Sequence, residues 1–223
     1  MKQLLLSAIL FFISYNSFSQ NHLVINGKVD GKSEGKVYLL TWNGEKPVKV
    51  DSAIVSSGVF NLNSSVTLPA VYLMSLASVK SRLPIFLFPD GTPMKVNIQV
   101  DPVNGKPSDF SVTGGKTQTA YNVHYKEYRA HLDEYMNLNE VYKKAKLENN
   151  VSVMKAQKEK MLVKEKVMSN LEMKVIEDNP DNILSLFFLF NKNQKNNPSI
   201  VKAKLAKVNN HLQSSELYKH LNK

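Results

Sequence analysis

Between residues 23 and 113 apolar and polar positions alternate in short runs, the period of strands that bury one face. The central run is 48–62. There Val48, Val50 and Ile54 share one parity, and Ser57-Gly58 marks a turn before Val59-Phe60-Asn61-Leu62 alternates again, so the stretch reads as a hairpin. Leu23, Ile25, Gly27 and Val29 give a first strand, and Val37, Leu39 and Thr41 a second that is apolar on both faces. Further strands are predicted at 71–76, 83–88, 94–100 and 110–113, with Pro84 placing one near an edge and Pro89-Asp90-Gly91 turning the chain. Seven or eight such strands predict an antiparallel β-sandwich.

At Gly114-Gly115 the period becomes helical, with Thr117 as the expected cap. Tyr121, Tyr125, Tyr128, Leu132, Tyr135, Leu138 and Tyr142 recur at steps of three and four, a single stripe on one long helix. Asn149-Asn150 breaks it. Met154, Met161, Met168 and Val175 then recur every seven residues, with Gln157 and Lys164 interrupting the seam, so the two helices form an antiparallel hairpin. Asn179-Pro180 ends the second helix, and Asp181 is the expected cap of a short helix through Phe190. A polar linker over 191–197, a helix opened by Pro198 and a last turn capped by Ser214 or Ser215 complete the chain. The fold class is thus α+β: a sandwich over 20–115 and a helical segment over 116–223, with a helical hairpin followed by short C-terminal helices.

Composition changes this picture at the amino terminus. Lys2, the apolar run 4–13 and Ser17-Phe18-Ser19 read as a cleavable secretory signal over 1–19, predicting a periplasmic or secreted protein. The run is too short to span a bilayer comfortably, which takes about 20 residues, and 184–190 fits a buried helix better. The net charge is +10; losing Lys2 with the leader leaves +9. After export that basicity suits anionic envelope polymers or lipid head groups rather than nucleic acid, although a solvated basic surface is the commoner explanation. The absence of cysteine excludes disulfides and lipidation of a cysteine after the leader.

Each candidate for chemistry has a plainer reading. Thr113-Gly114-Gly115-Lys116-Thr117 resembles the end of a phosphate loop, but the pattern needs glycine where Phe110 stands. His124, Glu127 and His131 share a helical face, yet histidines seven residues apart lie about 10 Å apart along the axis, too far for one metal. No Gly-x-Ser-x-Gly motif or paired carboxylates stand out, so no enzyme activity and no cofactor is expected. A tyrosine stripe at helical spacing is more often core than ligand platform. Tyr121, Tyr125, Tyr128 and Tyr135 are nonetheless the candidate partner-binding residues, because the interrupted methionine seam leaves part of the stripe uncovered. Asp51-Ser52-Ala53 has the form of an acceptor for O-linked glycans, which makes Ser52 the candidate modification site; simple strand alternation is the plainer and preferred explanation.

The order of parts carries a resemblance. Leu23-Val24-Ile25-Asn26-Gly27-Lys28-Val29 is followed by Gly35-Lys36-Val37-Tyr38-Leu39-Leu40, then Asp51-Ser52-Ala53 with Gly58-Val59-Phe60. Phe86-Leu87-Phe88-Pro89-Asp90-Gly91 and Val112-Thr113-Gly114 lead into the long helix, and Asn179-Pro180-Asp181 and Ser215-Glu216-Leu217-Tyr218 follow. The chain resembles the N-terminal domain of unknown function that precedes the thioredoxin-like domain in exported thiol–disulfide oxidoreductases of Gram-negative bacteria. That family's redox chemistry requires a Cys-x-x-Cys pair. This chain has no cysteine and ends at Lys223, about where such a domain would begin, so no catalytic position is carried over. A natural stand-alone protein and a truncated remnant both fit. The leading expectation is a non-enzymatic binding or scaffold module of the envelope. The alternatives are an accessory subunit acting in trans with a thioredoxin-like partner, and an unrecognised glycan-binding or hydrolytic protein.

Overall fold

A computed structural model describes residues 21–32, 34–42, 46–76, 85–103, 105, 107–194 and 198–223. The predicted leader, the turn at 43–45, the start of the predicted strand at 83–88 and residues 195–197 of the linker lie outside them. Eight strands come first: β1 (Asn21–Asp30), β2 (Gly35–Trp42), β3 (Pro47–Val55), β4 (Val59–Val66), β5 (Tyr72–Leu76), β6 (Ile85–Leu87), β7 (Met94–Val100) and β8 (Pro107–Thr113). Helices follow: α1 (Lys116–Leu147), α2 (Val151–Asp178), α3 (Ile183–Gln194), α4 (Pro198–Leu205), a 3-10 turn (Asn210–Leu212) and α5 (Glu216–Leu221).

The strands form two four-stranded sheets, ordered β4-β1-β7-β8 and β3-β2-β5-β6. Their inner faces meet over Ile25, Val37, Leu39, Leu62, Met74 and Ile98, all nearly inaccessible. Strand β7 alternates buried and exposed at every position, as one-sided burial requires. The sandwich departs from a purely antiparallel one, because β1 pairs with β7 in parallel. The turn at Ser57-Gly58 is present, both residues at positive φ and Ser56 bridging Val59. It does not close a hairpin within one sheet: β3 and β4 diverge into opposite sheets, turning the corner between them.

The face assigned to the central run is reversed. Val48, Val50 and Ile54 are exposed, Ile54 at 74%, while Val55 is buried and Ala53 packs on the core. Two facts explain it: β3 is an edge strand, and a bulge opposite Leu39/Leu40 shifts its register, so Asp51 pairs with Leu39 and Lys49 with Leu40.

A second core forms where β5, β6 and Phe88 meet the helices. Val71, Phe88, Tyr121, Val175, Leu184, Phe188 and Leu217 belong to it. The run 184–189 is buried here, and among the described residues no helix is long and apolar enough to cross a membrane. The cap of α3 is Asn182 rather than Asp181; its Oδ1 accepts from the Leu184 N–H at 3.0 Å. Ser215 caps α5, accepting from Tyr218 N–H at 3.2 Å.

Candidate partner-binding site

The helical hairpin is positioned at its root by polar contacts to the strands. Gly115 precedes α1 at φ 74° and contributes no side-chain cap. The cap comes from a distance: the Asp90 carboxylate accepts from Lys116 N–H at 2.8 Å. Burial raises the Asp90 pKa, but bonds from the Thr92 hydroxyl and the Lys116, Thr92 and Thr117 N–H groups outweigh it, holding the group below its ordinary value. A Cβ on Gly115 would lie 2.4 Å from this carboxylate, which explains the glycine without a bound phosphate. Thr117 is inside the helix rather than its cap, and its hydroxyl accepts from Asn182 Nδ2 at 3.0 Å. Gln118, fully buried, accepts from Phe88 N–H at 3.0 Å and donates to Asn122 Oδ1 at 3.0 Å. Asn122 in turn donates to Val112 O at 2.7 Å, so one chain of bonds joins α1 to both sheets.

This anchoring divides the tyrosine stripe. Tyr121 is buried in the second core, its ring 4.6 Å from Phe88 and 5.8 Å from Tyr125. Burial first, and then the neighbouring tyrosines, push its hydroxyl far above the usual phenol range. Tyr125, Tyr128 and Tyr135 are half-buried and form the stripe's surface part. Tyr125 lies 6.1 Å from Phe110 and accepts from Arg129 Nη1 at 3.5 Å. Tyr135 bonds Glu165 across the hairpin, and burial together with that carboxylate raises its pKa.

A cleft of about 190 Å³ opens beside the root, walled by Phe86, Tyr121, Tyr125, Tyr128 and Phe187. His124 and Glu172 also line it. Burial lowers the His124 pKa against the opposing pull of Glu172 and Glu127. The ring packs edge-on to Phe188 at 4.6 Å, a core role rather than an exposed ligand's. Among the described residues no three metal-ligating side chains converge. Behind the cleft Lys192 Nζ lies 3.1 Å from Glu172 Oε2, 3.0 Å from Ser169 Oγ and 3.2 Å from Ser169 O, with both charged side chains 4% exposed. Sequence reasoning missed this pair. Its signal was Glu172, an acid on the face that also carries Met168, Val175 and Ile176.

Beyond the root the hairpin becomes an arm. From Tyr125 along α1 only Ala145 is buried, and on α2 no residue before Met168 is. Of the methionine seam, Met168 is buried while Met154 and Met161 are half-buried; Lys164, at an interrupted position, pairs with Glu134 of α1. That pairing holds the Glu134 carboxylate below its ordinary pKa. One flank carries an open groove of about 460 Å³, with Leu138, Val141 and Val163 between Lys160, Lys164 and Glu134. Met136 and Val141 are each 47% exposed, and Val163 is 62% exposed.

Ser52 lies apart from this surface, in β3 opposite Tyr38, half-buried, its N–H donating to Asp51 Oδ1 at 2.7 Å.

No curated protein and no solved structure matches the chain. Residues 23–121 match the family model of DUF4369, a domain of unknown function. The matched span opens within β1, contains the remaining strands and closes at Tyr121, so it takes in the sandwich and the anchored start of α1 and leaves the arm outside.

Proposed function

We propose that this protein is a non-enzymatic binding or scaffold module, carried to the bacterial envelope by its leader, that docks a protein partner along the sides of the helical arm. One observation carries the reading: the arm leaves the body with a single buried residue, Ala145, while keeping apolar side chains on its flanks. Two helices that pack only on each other leave apolar side chains in water, and a third surface laid on the groove would cover them. The sandwich is closed over its own core, and its exposed apolar side chains, Val48, Val50, Ile54 and Val59, lie on β3 and at the start of β4. The resemblance in the sequence makes a thioredoxin-like protein the first partner to test, one that would bring the cysteines this chain lacks.

The test places a photo-crosslinking residue at Met136 or Val163 on the arm, or at Lys95 or Asn97 on the outer face of β7. The arm positions are expected to trap one and the same partner, and the sheet positions none. Tyr128→Ser/Tyr135→Ser should abolish that adduct with strand content unchanged. Trapping from the sheet alone, or undiminished trapping by the folded double variant, overturns the reading.

A further inference from the structure

The far end of the arm differs chemically from its flanks. Its turn is tight: Asn149 takes φ 54°, Glu148 N–H donates to Lys144 O at 3.1 Å, and Asn150 N–H donates to Ala145 O at 2.8 Å. Asn150 Oδ1 then caps α2, accepting from Val153 N–H at 3.2 Å and from the Ser152 hydroxyl at 3.0 Å. This fixed turn holds two apolar side chains out in water, Leu147 at 85% and Val151 at 74% exposure. Around them, residues 143–160 contain six lysines, at 143, 144, 146, 155, 158 and 160, against two carboxylates, Glu148 and Glu159. All six lysines are exposed.

Helix electrostatics accounts for two of these six lysines. Lys144 and Lys146 lie in the last turn of α1, where cations favour the helix dipole. The first turn of α2 contains no acid, and Lys155 and Lys158 lie beyond it, where the dipole neither favours nor requires cations. The helix dipole therefore does not account for the lysines of α2. Two protruding apolar groups with exposed lysines nearby on both helices match one kind of surface, an interface with anionic head groups outside and hydrocarbon beneath.

We propose that the tip of the arm docks on an anionic lipid bilayer, Leu147 and Val151 entering the interface and the surrounding lysines pairing with lipid phosphates. With about 1.5 Å of rise per residue, the 32 residues of α1 would hold the root, and the sandwich behind it, some tens of ångströms from the bilayer. The contact rests on Leu147, Val151, Lys155 and Lys158 at the end of the arm and not on the flank groove, which Lys160 also lines, so it stands or falls independently of the protein-docking reading.

The experiment is co-sedimentation of the full mature chain with vesicles of phosphatidylcholine alone and of phosphatidylcholine mixed with phosphatidylglycerol. Binding is expected only to the mixed vesicles, weakening as salt is raised. Leu147→Asp/Val151→Asp and Lys155→Glu/Lys158→Glu should each weaken it at least about tenfold. Val123→Asp, at another exposed apolar position near the root, should leave it unchanged. All four changed tip positions are exposed, so unfolding midpoints should match the wild type. No binding to the mixed vesicles at low salt overturns the proposal. So does binding that neither tip variant reduces. Retention on duplex DNA that matches vesicle affinity and ignores Leu147→Asp/Val151→Asp would also overturn it, because a purely electrostatic patch needs no apolar tip.

Discussion

Replacing Glu172 by leucine tests the joint that fixes the arm to the body. Lys192 Nζ reaches Glu172 Oε2 at 3.1 Å, and both side chains are 4% exposed. Unit charges at that separation attract by about 5 kcal/mol at an effective dielectric of 20. The net value of the pair is far smaller, because two desolvated ions offset most of that attraction. Removing one partner is a different matter. In Glu172→Leu the ammonium keeps Ser169 O and Oγ as acceptors but stays buried without a counter-charge. The expected loss is about 3–5 kcal/mol. In Glu172→Leu/Lys192→Met both charges go, and stability should return to within about 2 kcal/mol of the wild type. The assay is urea unfolding followed by helical circular dichroism, compared at equal slopes so that the midpoints report stability. A single-variant loss below about 1 kcal/mol would refute burial of the pair in solution. A double variant as unstable as the single would show that the leucine, not the stranded charge, causes the damage.

Other outcomes follow from specific contacts. Gly27→Ala should cost about 1–3 kcal/mol, because a Cβ there would lie 1.9 Å from the Phe60 ring that covers it across the β1–β4 pair; Phe60→Leu in the same chain should recover part of the loss on thermal unfolding. Asp90→Asn should reduce acid sensitivity: the Asp90 pKa is lowered on folding, so its stabilisation is complete above the ordinary carboxylate range and is lost as pH falls through the folded value. Unfolding midpoints between about pH 5 and pH 3 should then fall less steeply in the variant than in the wild type. His124, also lowered, acts with the same sign at higher pH: stability should decline as pH drops below the ordinary histidine range, and His124→Phe should flatten that slope. Ser52 in native material is expected either to carry a glycan mass on its peptide or to be unmodified, and peptide mass spectrometry decides; the unmodified result rejects the acceptor reading of Asp51-Ser52-Ala53.

The elements most legible in the sequence were those whose burial depends on their own pattern. Strand β7 reads directly because it buries one side and pairs on both edges. The long helices read from stripes, and their turn from Asn149-Asn150, since asparagine tolerates the positive φ that one of them adopts. Strand β3 was misread for a physical reason. Periodicity reports that one face is apolar, and it does not report which face the fold covers. At an edge strand with a bulge, Val48, Val50 and Ile54 stay wet while Ala53 and Val55 face the core. The parallel β1–β7 pair was invisible for a similar reason, because pairing partners leave no trace in local alternation. The remote cap from Asp90 and the Lys192–Glu172 pair share that character: each joins residues far apart in sequence, and only the fold makes them neighbours.

The tyrosine stripe shows how one continuous pattern can serve two physical tasks. Tyr121 and Tyr135 occupy the same face of one uninterrupted helix, yet the first is in a core shared with Phe88 and Phe187, and the second faces only α2. What separates them is how many elements surround the helix at that height. At the root α1 meets α2, α3 and β8, so its stripe is enclosed; farther out α2 alone accompanies it. A helix packed against a single neighbour cannot cover an apolar stripe wider than one seam. The half-buried state of Tyr135 therefore follows from topology rather than from a weaker side chain, while Tyr128 stands at the boundary, in the wall of the root cleft. α1 runs unbroken from its Asp90 cap to Leu147, and its root is held by the bonds from Phe88 N–H to Gln118 and from Asn122 to Val112 O.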